Sequence, residues 1–284
     1  MPALLYQYPA VMLAFRLVPS LVEQLQVYVD GPVNDVYLEL SQRPVTELTG
    51  EERAFVTRWM TESSQIRRVR QYPRYLELVR KREQSFSRDP GELAHLFSDA
   101  ELRDLQAWFN LAWLGPEVID ARPEIKELVV KGRLFAEEDK AAVIAAQMDL
   151  LQRVLPKYQE VADRGQAELI TTPFYHPILP LLVDVASARA AVPEMPLPDR
   201  GFAYPGDAAE QLRLGVASHT RRFGRRPRGV WPPAAAISDA ALSLIGDAGL
   251  EWAVAAEGLL RRGLGATRRD GEGTGMLPGM VVRT

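Results

Sequence analysis

The fold is indicated most clearly by residues 226–238, which read R-P-R-G-V-W-P-P-A-A-A-I-S. A turn-rich region precedes this stretch and an amphipathic pattern over residues 240–245 follows it, so the sequence predicts a strand ending at Trp231 and then a helix. The active sites of α/β barrels lie at such strand ends. This strand end offers an aromatic ring followed by three alanines, Ala234 to Ala236, and no carboxylate.

Similar strand and helix patterns occur on both sides of this stretch. Residues 8–18 predict a short strand, and the helical pattern after them predicts Ser20 as an N-cap with Glu23 as its capping-box partner. Residues 166–172 alternate like a strand and end in β-branched residues before Pro173. A helix over 207–222, a helix over 238–248 and a strand over 251–255 complete the alternation, which is typical of an α/β protein.

Residues 46–165 carry almost only helical signals. The pairs Thr49 with Glu52 and Ser98 with Glu101 are capping-box patterns that predict helix starts. We therefore divide the chain into four segments. These are strand–helix units over 1–45, a helical insertion over 46–165, further strand–helix units with polar motifs over 166–262, and a glycine-rich, charged tail over 263–284 that we expect to be disordered.

Composition limits the classes of function. The 284 residues are 47% hydrophobic and 25% charged with a formal net charge of −3, which is typical of a globular protein and shows no electrostatic footprint for nucleic acid. We interpret the basic run over 221–228 as a solvated loop. The lack of cysteine excludes disulfides, thiolate metal ligands and a cysteine nucleophile.

Neither a membrane nor a cofactor is indicated. No apolar run approaches the roughly 18 residues of a membrane span, and the first residues lack a basic signal segment, so we expect a cytoplasmic protein without membrane contacts. His95, His176 and His219 are widely separated and none has metal-ligand spacing, so we expect no metal and no cofactor.

Polar side chains cluster near the predicted strand at 166–172. Glu168, Tyr175 and His176 accompany it, and the prolines that follow it stiffen the chain, which suits a site that holds polar groups in fixed positions. A structural interpretation stays open: Glu168 could pair with an arginine in a core strand, and His176 could cap a loop.

Several segments together resemble glycoside hydrolase family 57, and most closely its α-amylase and amylopullulanase-type branch. The segments are residues 15–25, 71–75, 106–113, 131–133, 165–182, 200–205 and 226–232. The resemblance implies a (β/α)7-type barrel with helical insertions and retaining chemistry on α-glucosidic bonds, as in starch, glycogen and maltooligosaccharides. Retaining hydrolysis uses a nucleophilic carboxylate and a general acid about 5–5.5 Å apart.

The resemblance also implies roles for individual residues. Glu168 matches a strand-end glutamate that hydrogen-bonds sugar hydroxyls, and Trp231 matches an aromatic residue that offers an apolar face to the sugar. Tyr175 and His176 match a segment beside the same cleft. These four residues are our predicted substrate-binding set.

The chain departs from the family pattern at the catalytic groups. Ala234 stands where the resemblance implies the nucleophilic glutamate, and a methyl group cannot attack an anomeric carbon. Arg16 stands where the family has asparagine. The first histidine motif and the general-acid aspartate of the family are not found, so we expect a chain truncated at both ends, an incomplete barrel, and self-association through open barrel edges.

Three hypotheses of function follow. In the first, the chain is a catalytically impaired or inactive relative of α-glucan hydrolases. In the second, it is a non-catalytic carbohydrate-binding or partner-binding protein on a degenerate barrel. The third is an active enzyme in which Asp184, Asp207 or Asp239 replaces the missing carboxylates, but Asp239 fits a first-turn helix position better.

Overall fold

The computed structural model describes residues 2–62, 66–256, 258 and 280–283. The chain divides into two compact units, one formed by Met1–Val27 with Val154–Thr284 and the other by Tyr28–Arg153. All strands of the described residues belong to the first unit.

The helices of the described residues are α1 (Pro19–Asp30), α2 (Val36–Gln42), α3 (Gly50–Trp59), α4 (Ile66–Gln71), α5 (Pro73–Ser85), α6 (Pro90–Leu96), α7 (Asp99–Leu111), α8 (Pro116–Asp120), α9 (Pro123–Lys131), α10 (Glu137–Asp163), α11 (Leu179–Val183), α12 (Ala188–Ala191), α13 (Pro205–Phe223) and α14 (Asp239–Asp247). The strands are β1 (Leu13–Arg16), β2 (Ala167–Ile170), β3 (Gly229–Val230), β4 (Trp252–Ala255) and β5 (Met280–Arg283). Short 3-10 helices cover Pro2–Gln7, Val45–Glu47, Val185–Ser187 and Pro233–Ala235.

Four parallel strands lie in the order β1, β2, β3, β4. β1 pairs with β2, and β3 pairs with β4. A single parallel bridge between Thr171 and Val230 links the two pairs. β5 adds to the other side of β4 in the antiparallel direction. The alternation of strands and helices predicted from the sequence is confirmed at every one of these parallel strands.

Helices α13 and α14 cover one face of these strands. Val230 and Ala253 of the strands are fully buried against Leu212 of α13 and Ile245 of α14. Around β1 and β2, Leu169 packs against Val22 of α1 and against the end of α13. Burial of such apolar side chains stabilises the layers by about 1.5–3 kcal/mol each.

The second unit is a helical assembly around a large hydrophobic core, with a smaller cluster of Ala54, Leu93 and Ala94. Trp108 on α7 is buried, and its indole N–H donates to the Gly132 carbonyl at 2.8 Å. The two predicted capping boxes are confirmed: Thr49 and Glu52 start α3, and Ser98 and Glu101 start α7. Both were predictable because a capping box is a contact within four consecutive residues.

The predicted capping box at Ser20 is wrong. α1 begins at Pro19, which suits the first helical position, so Ser20 lies inside the helix. Glu23 instead accepts a hydrogen bond from the Ser218 hydroxyl at 2.8 Å and pairs with Arg221. A tertiary partner from α13 has replaced the local one.

The barrel itself remains a prediction. Within residues 2–62, 66–256 and 280–283 the strands form a two-stranded and a three-stranded sheet joined by one bridge, and β1 and β5 do not pair with each other. The segment boundaries 1–45, 46–165 and 166–262 likewise stay predictions. The tail predicted to be disordered, 263–284, lies outside the described residues except for 280–283, which form β5.

Candidate functional site

The carboxyl ends of β1, β2 and β3 lie side by side. The Leu17 N–H donates to the Ile170 carbonyl at 3.0 Å, and the Trp231 N–H donates to the Thr171 carbonyl at 2.9 Å. These bonds bring together three segments that are distant in the sequence. Parallel strands have all their carboxyl ends at one edge, where open α/β sheets form binding crevices.

Arg16 and Trp231 meet at this edge. The guanidinium carbon of Arg16 lies 5.2 Å from the centroid of the Trp231 ring, within the range of a cation–π interaction. Arg16 is exposed, and Trp231 is half-buried. One face of the predicted sugar platform is thus covered by a cation.

The loop after β2 carries Tyr175 and His176. It is fixed to α13 by Gln211, whose backbone carbonyl accepts the Phe174 N–H at 3.0 Å and whose side-chain oxygen accepts the Tyr175 N–H at 2.8 Å. The Tyr175 side chain is 70% exposed. The loop is therefore held in place through its backbone while the phenol stays open to solvent.

His176 has an unusual environment. Its φ of 62° is in the left-handed region, which costs a non-glycine residue roughly 1–2 kcal/mol. Its Nε2 is buried and has no hydrogen-bond partner among the residues that the structure describes. Burial, and secondly the charge of Arg16, lower the pKa of His176 below its usual value. Arg16 is therefore close enough to act electrostatically on His176 as well as to stack on Trp231.

Helix α13 packs closely against the chain just after β2. A Cβ at Gly215 would lie 2.5 Å from the Thr172 carbonyl oxygen, closer than side chains come in practice. Only glycine allows the helix to approach this point, and Thr172 leads directly into the loop with His176. Gly215 thus helps to place the loop.

Ala234 lies in a strained turn just after Trp231. Ala234 and Ala235 have φ of 55° and 52°, both left-handed. The Ala234 side chain is exposed, and residues 229–238 contain neither aspartate nor glutamate. Backbone strain of this kind is frequent at functional sites.

Glu168 lies in a different cleft. This cleft has a volume of about 300 Å³, and Glu168 shares its lining with His219, Arg226 and Arg228 but not with Tyr175, His176 or Trp231. Glu168 precedes the carboxyl end of β2 by two residues, and its buried Oε1 has no hydrogen-bond partner in the described part of the chain. Arg16 thus contacts Trp231 and acts electrostatically on His176, whereas Glu168 lines the cleft that contains His219. The role of Glu168 as a sugar contact stays a prediction.

Three arginines, Arg225, Arg226 and Arg228, line this second cleft. The charge of Glu168 contributes to raising the pKa of Arg228, after the larger effect of Glu251. Burial lowers the pKa of His219 to about 4, with a smaller effect of Arg225. His219 packs its ring 4.9 Å from that of Phe223. At neutral pH His219 is therefore an uncharged core residue.

Two site residues were missed by the sequence analysis. Arg16 was noted only as a departure from the family pattern, although a charge in an apolar strand pattern is a usable signal. Gln211 gave no signal at all, because it lies on a regular helix and reaches the loop only through the packing of α13.

Several of the charged residues outside this site have structural partners. Of the basic run over 221–228, Arg221 pairs with Glu23, Arg225 lies 3.7 Å from Asp163 and Arg228 pairs with Glu251 at 2.8 Å. No group of three His, Asp or Glu side chains in the described part of the chain is arranged to hold a metal ion. None of the helices in these ranges has the length and hydropathy to span a bilayer.

Comparison with known proteins identifies one family. The model of "Glycosyl hydrolase family 57" matches residues 18–269. No curated protein gives a significant match.

Solved structures also match, at low similarity. A branching enzyme of the GH57 type from Pyrococcus horikoshii is 15% identical, with 89% of this chain and 42% of that one covered and a TM-score of 0.35. A GH57 branching enzyme from Thermococcus kodakaraensis is 14% identical, with 85% and 38% covered and a TM-score of 0.31. The α-amylase AmyC from Thermotoga maritima is 15% identical, with 52% and 26% covered and a TM-score of 0.30. The chain spans less than half the length of each.

Proposed function

Since the chain belongs to glycosyl hydrolase family 57, we propose that it carries an α-glucan site at the carboxyl ends of β1, β2 and β3 and does not itself supply the nucleophile for hydrolysis. The observation that carries this proposal is Ala234. The resemblance puts the nucleophile at this position, and the residue present has no group that can attack carbon. The family match supports a glycosidic ligand, and the resemblance of the sequence motifs to the α-amylase-type branch implies the α-glucan class.

The nearby aspartates have other roles, which argues against a replacement nucleophile. The Asp184 carboxylate accepts the Ala186 N–H at 2.8 Å as a cap of a short 3-10 helix. Asp207 and Asp239 lie in the first turns of α13 and α14, where their negative charges interact favourably with the helix dipole. The first-turn role predicted for Asp239 is confirmed.

Binding without hydrolysis is physically reasonable at this edge. The indole of Trp231 supplies an apolar face, and Tyr175 and His176 supply polar groups that can bond to hydroxyls. We include Glu168 in the sugar-contacting set as a proposal that follows from the family resemblance. The function is then that of a catalytically impaired α-glucan hydrolase relative or, as the alternative, of a non-catalytic carbohydrate-binding or partner-binding protein.

The family also supports a proposal about fold and assembly. We place the parallel strands β1 to β4 as part of a (β/α)7-type barrel. Among the described residues β1 pairs only with β2, and Val11, Met12 and Leu13 at its start are exposed. An unpaired apolar edge of this kind favours self-association.

Two measurements test the proposed function. We expect the chain to release no reducing sugar from maltoheptaose or soluble starch above a heat-killed control. We expect calorimetric titration to show maltoheptaose binding, and Trp231→Ala to abolish it. Clear turnover would contradict the missing nucleophile, and an absence of binding up to millimolar maltoheptaose would contradict the α-glucan site.

A matched control is available in the other unit. The ring of Trp113 is half-exposed and has the Arg68 guanidinium carbon 5.2 Å from its centroid, the same distance as between Arg16 and Trp231. Trp113→Ala removes an equivalent cation–π pair outside the proposed site. It should leave maltoheptaose binding unchanged, whereas an equal loss in both variants would show that the effect is not local.

A further inference from the structure

We propose that the site around Arg16, His176 and Trp231 binds an anionic sugar, meaning a glucose unit that carries a phosphate or carboxylate group. This inference rests on the proposed carbohydrate site and specifies its ligand class. The carboxyl ends of β1, β2 and β3 present one permanent cation, one unsatisfied imidazole nitrogen and one indole. Together these groups suit a sugar ring with a negative substituent.

The first argument is that Arg16 lacks a counter-ion. Within residues 2–62 and 66–256, Arg16 has no ion pair and no side-chain hydrogen bond, and its contact is the Trp231 ring. Arg221 and Arg228 of the same unit are each paired with a glutamate. The guanidinium keeps its N–H donors available in a fork that fits phosphate or carboxylate oxygens.

The second argument comes from His176. Its buried Nε2 has no hydrogen-bond partner within residues 2–62 and 66–256, and a buried polar atom in this state costs roughly 1–3 kcal/mol. Gln211 fixes the loop through the backbone of Phe174 and Tyr175, so the imidazole is held in place without a side-chain partner. A ligand oxygen would satisfy this nitrogen.

The third argument is the balance of charge. The strand end of β3 and the turn after it, residues 229–238, contribute no carboxylate, and Glu168 lines the other cleft with His219, Arg226 and Arg228. The edge therefore offers a cation and a potential donor, and no carboxylate within residues 2–62 and 66–256 forms an ion pair with Arg16. Neutral sugars need both donors and acceptors, whereas an anionic group needs only donors.

The ligand also explains how the indole face could become available. In the structure the Arg16 guanidinium covers the Trp231 ring. An anionic substituent would draw the guanidinium toward its own oxygens, because a charge-assisted hydrogen bond is stronger than an exposed cation–π contact. The sugar ring could then stack on the indole.

Calorimetric titration at constant ionic strength tests the proposal with four probes: glucose 6-phosphate, glucuronate, glucose and inorganic phosphate. We expect at least one charged sugar to bind about tenfold or more tightly than glucose and than inorganic phosphate. The two charged sugars distinguish a phosphate from a carboxylate ligand. Equal binding of glucose and both charged sugars, or binding of inorganic phosphate as tight as that of glucose 6-phosphate, would overturn the proposal.

Arg16→Asn should remove the preference for charged sugars. Its matched control is Arg164→Asn, because Arg164 is also exposed and also lies over an aromatic ring, 4.5 Å from the centroid of Tyr6. Circular dichroism would check that both variants fold. A preference that survives Arg16→Asn, or that is lost equally in Arg164→Asn, would contradict the assignment.

Nuclear magnetic resonance gives a readout independent of affinity. An anion beside His176 should raise its titration midpoint, opposing the effects of burial and Arg16 that lower its pKa. No upward movement on saturation with a charged sugar would contradict contact with His176. Maltoheptaose binding without a preference for charged sugars would reject this inference and leave the proposed function intact. Arg16-dependent binding of a charged sugar, without binding of maltoheptaose, would reject the proposed α-glucan site and support this inference.

Discussion

The guanidinium of Arg16 lies over the indole of Trp231, with 5.2 Å between the guanidinium carbon and the ring centroid. Arg16 ends β1 and Trp231 follows β3, and β2 separates these strands in the sheet. The side chains therefore meet across the carboxyl end of β2. This contact defines the candidate site, because the loop with His176 starts from that same strand.

Glycine at position 234 should stabilise the folded protein, because the turn there has a left-handed backbone conformation. Ala234→Gly relieves a left-handed φ of 55°, which outweighs the greater flexibility of glycine in the unfolded chain, so we expect the free energy of unfolding to rise by about 0.5–1 kcal/mol. Urea denaturation measures this change. Ala236→Gly is the control, since Ala236 has φ of −80° and ψ of 124° and should lose stability. A loss in Ala234→Gly as large as in Ala236→Gly would show that the turn is not strained.

Any side chain at Gly215 should destabilise the protein, because α13 packs closely against the end of β2 at this position. Gly215→Ala puts a Cβ 2.5 Å from the Thr172 carbonyl oxygen, so we expect a loss of about 1–3 kcal/mol in the free energy of unfolding. Gly206→Ala, in the same helix with nothing within 4 Å of the new Cβ, should change stability little. If thermal denaturation gives both variants the same midpoint, the close approach of α13 is contradicted.

The stability of the first unit should depend on pH through His219. Its pKa is about 4 in the folded chain and 6.5 when exposed, so between these values the unfolded chain binds a proton that the folded chain does not. The free energy of unfolding is then highest above pH 6.5 and falls by about 3 kcal/mol on going down to pH 4. Urea unfolding across this range measures the slope.

Variants separate this effect from other titrations. His219→Gln should reduce the slope between pH 6.5 and 4, whatever it does to stability at pH 7. His95→Gln changes an exposed histidine on α6 and should leave the slope as it is. An unchanged slope in His219→Gln would mean that the buried imidazole is not responsible.

The helical unit should depend on the buried carboxylate of Asp104. It accepts hydrogen bonds from Arg74 Nε at 2.9 Å and from the Phe135 N–H at 3.0 Å. Asp104→Ala leaves the guanidinium without this partner, so we expect a loss of about 3–5 kcal/mol. Asp99→Ala removes an exposed partner of Arg53 and should cost about 1 kcal/mol or less. Equal losses by urea denaturation would contradict the difference in burial.

The sequence by itself determined the features that depend on neighbouring residues. Three features could be predicted from the sequence: the order of strands and helices, the capping boxes at Thr49 and Ser98, and the absence of a carboxylate at Ala234. Each depends on contacts or side-chain identities within a few residues. The family resemblance is confirmed by the match over residues 18–269.

Only the tertiary structure decided which of these residues meet. Three contacts depend on strand order and on the packing of α13: Arg16 with Trp231, Ser218 with Glu23, and Glu168 with the cleft that contains His219. A strand pattern gives alternation but not which strand lies beside it, and a helix pattern does not say which loop its side chains reach. These contacts join segments far apart in the chain, so they form only when the whole unit has folded.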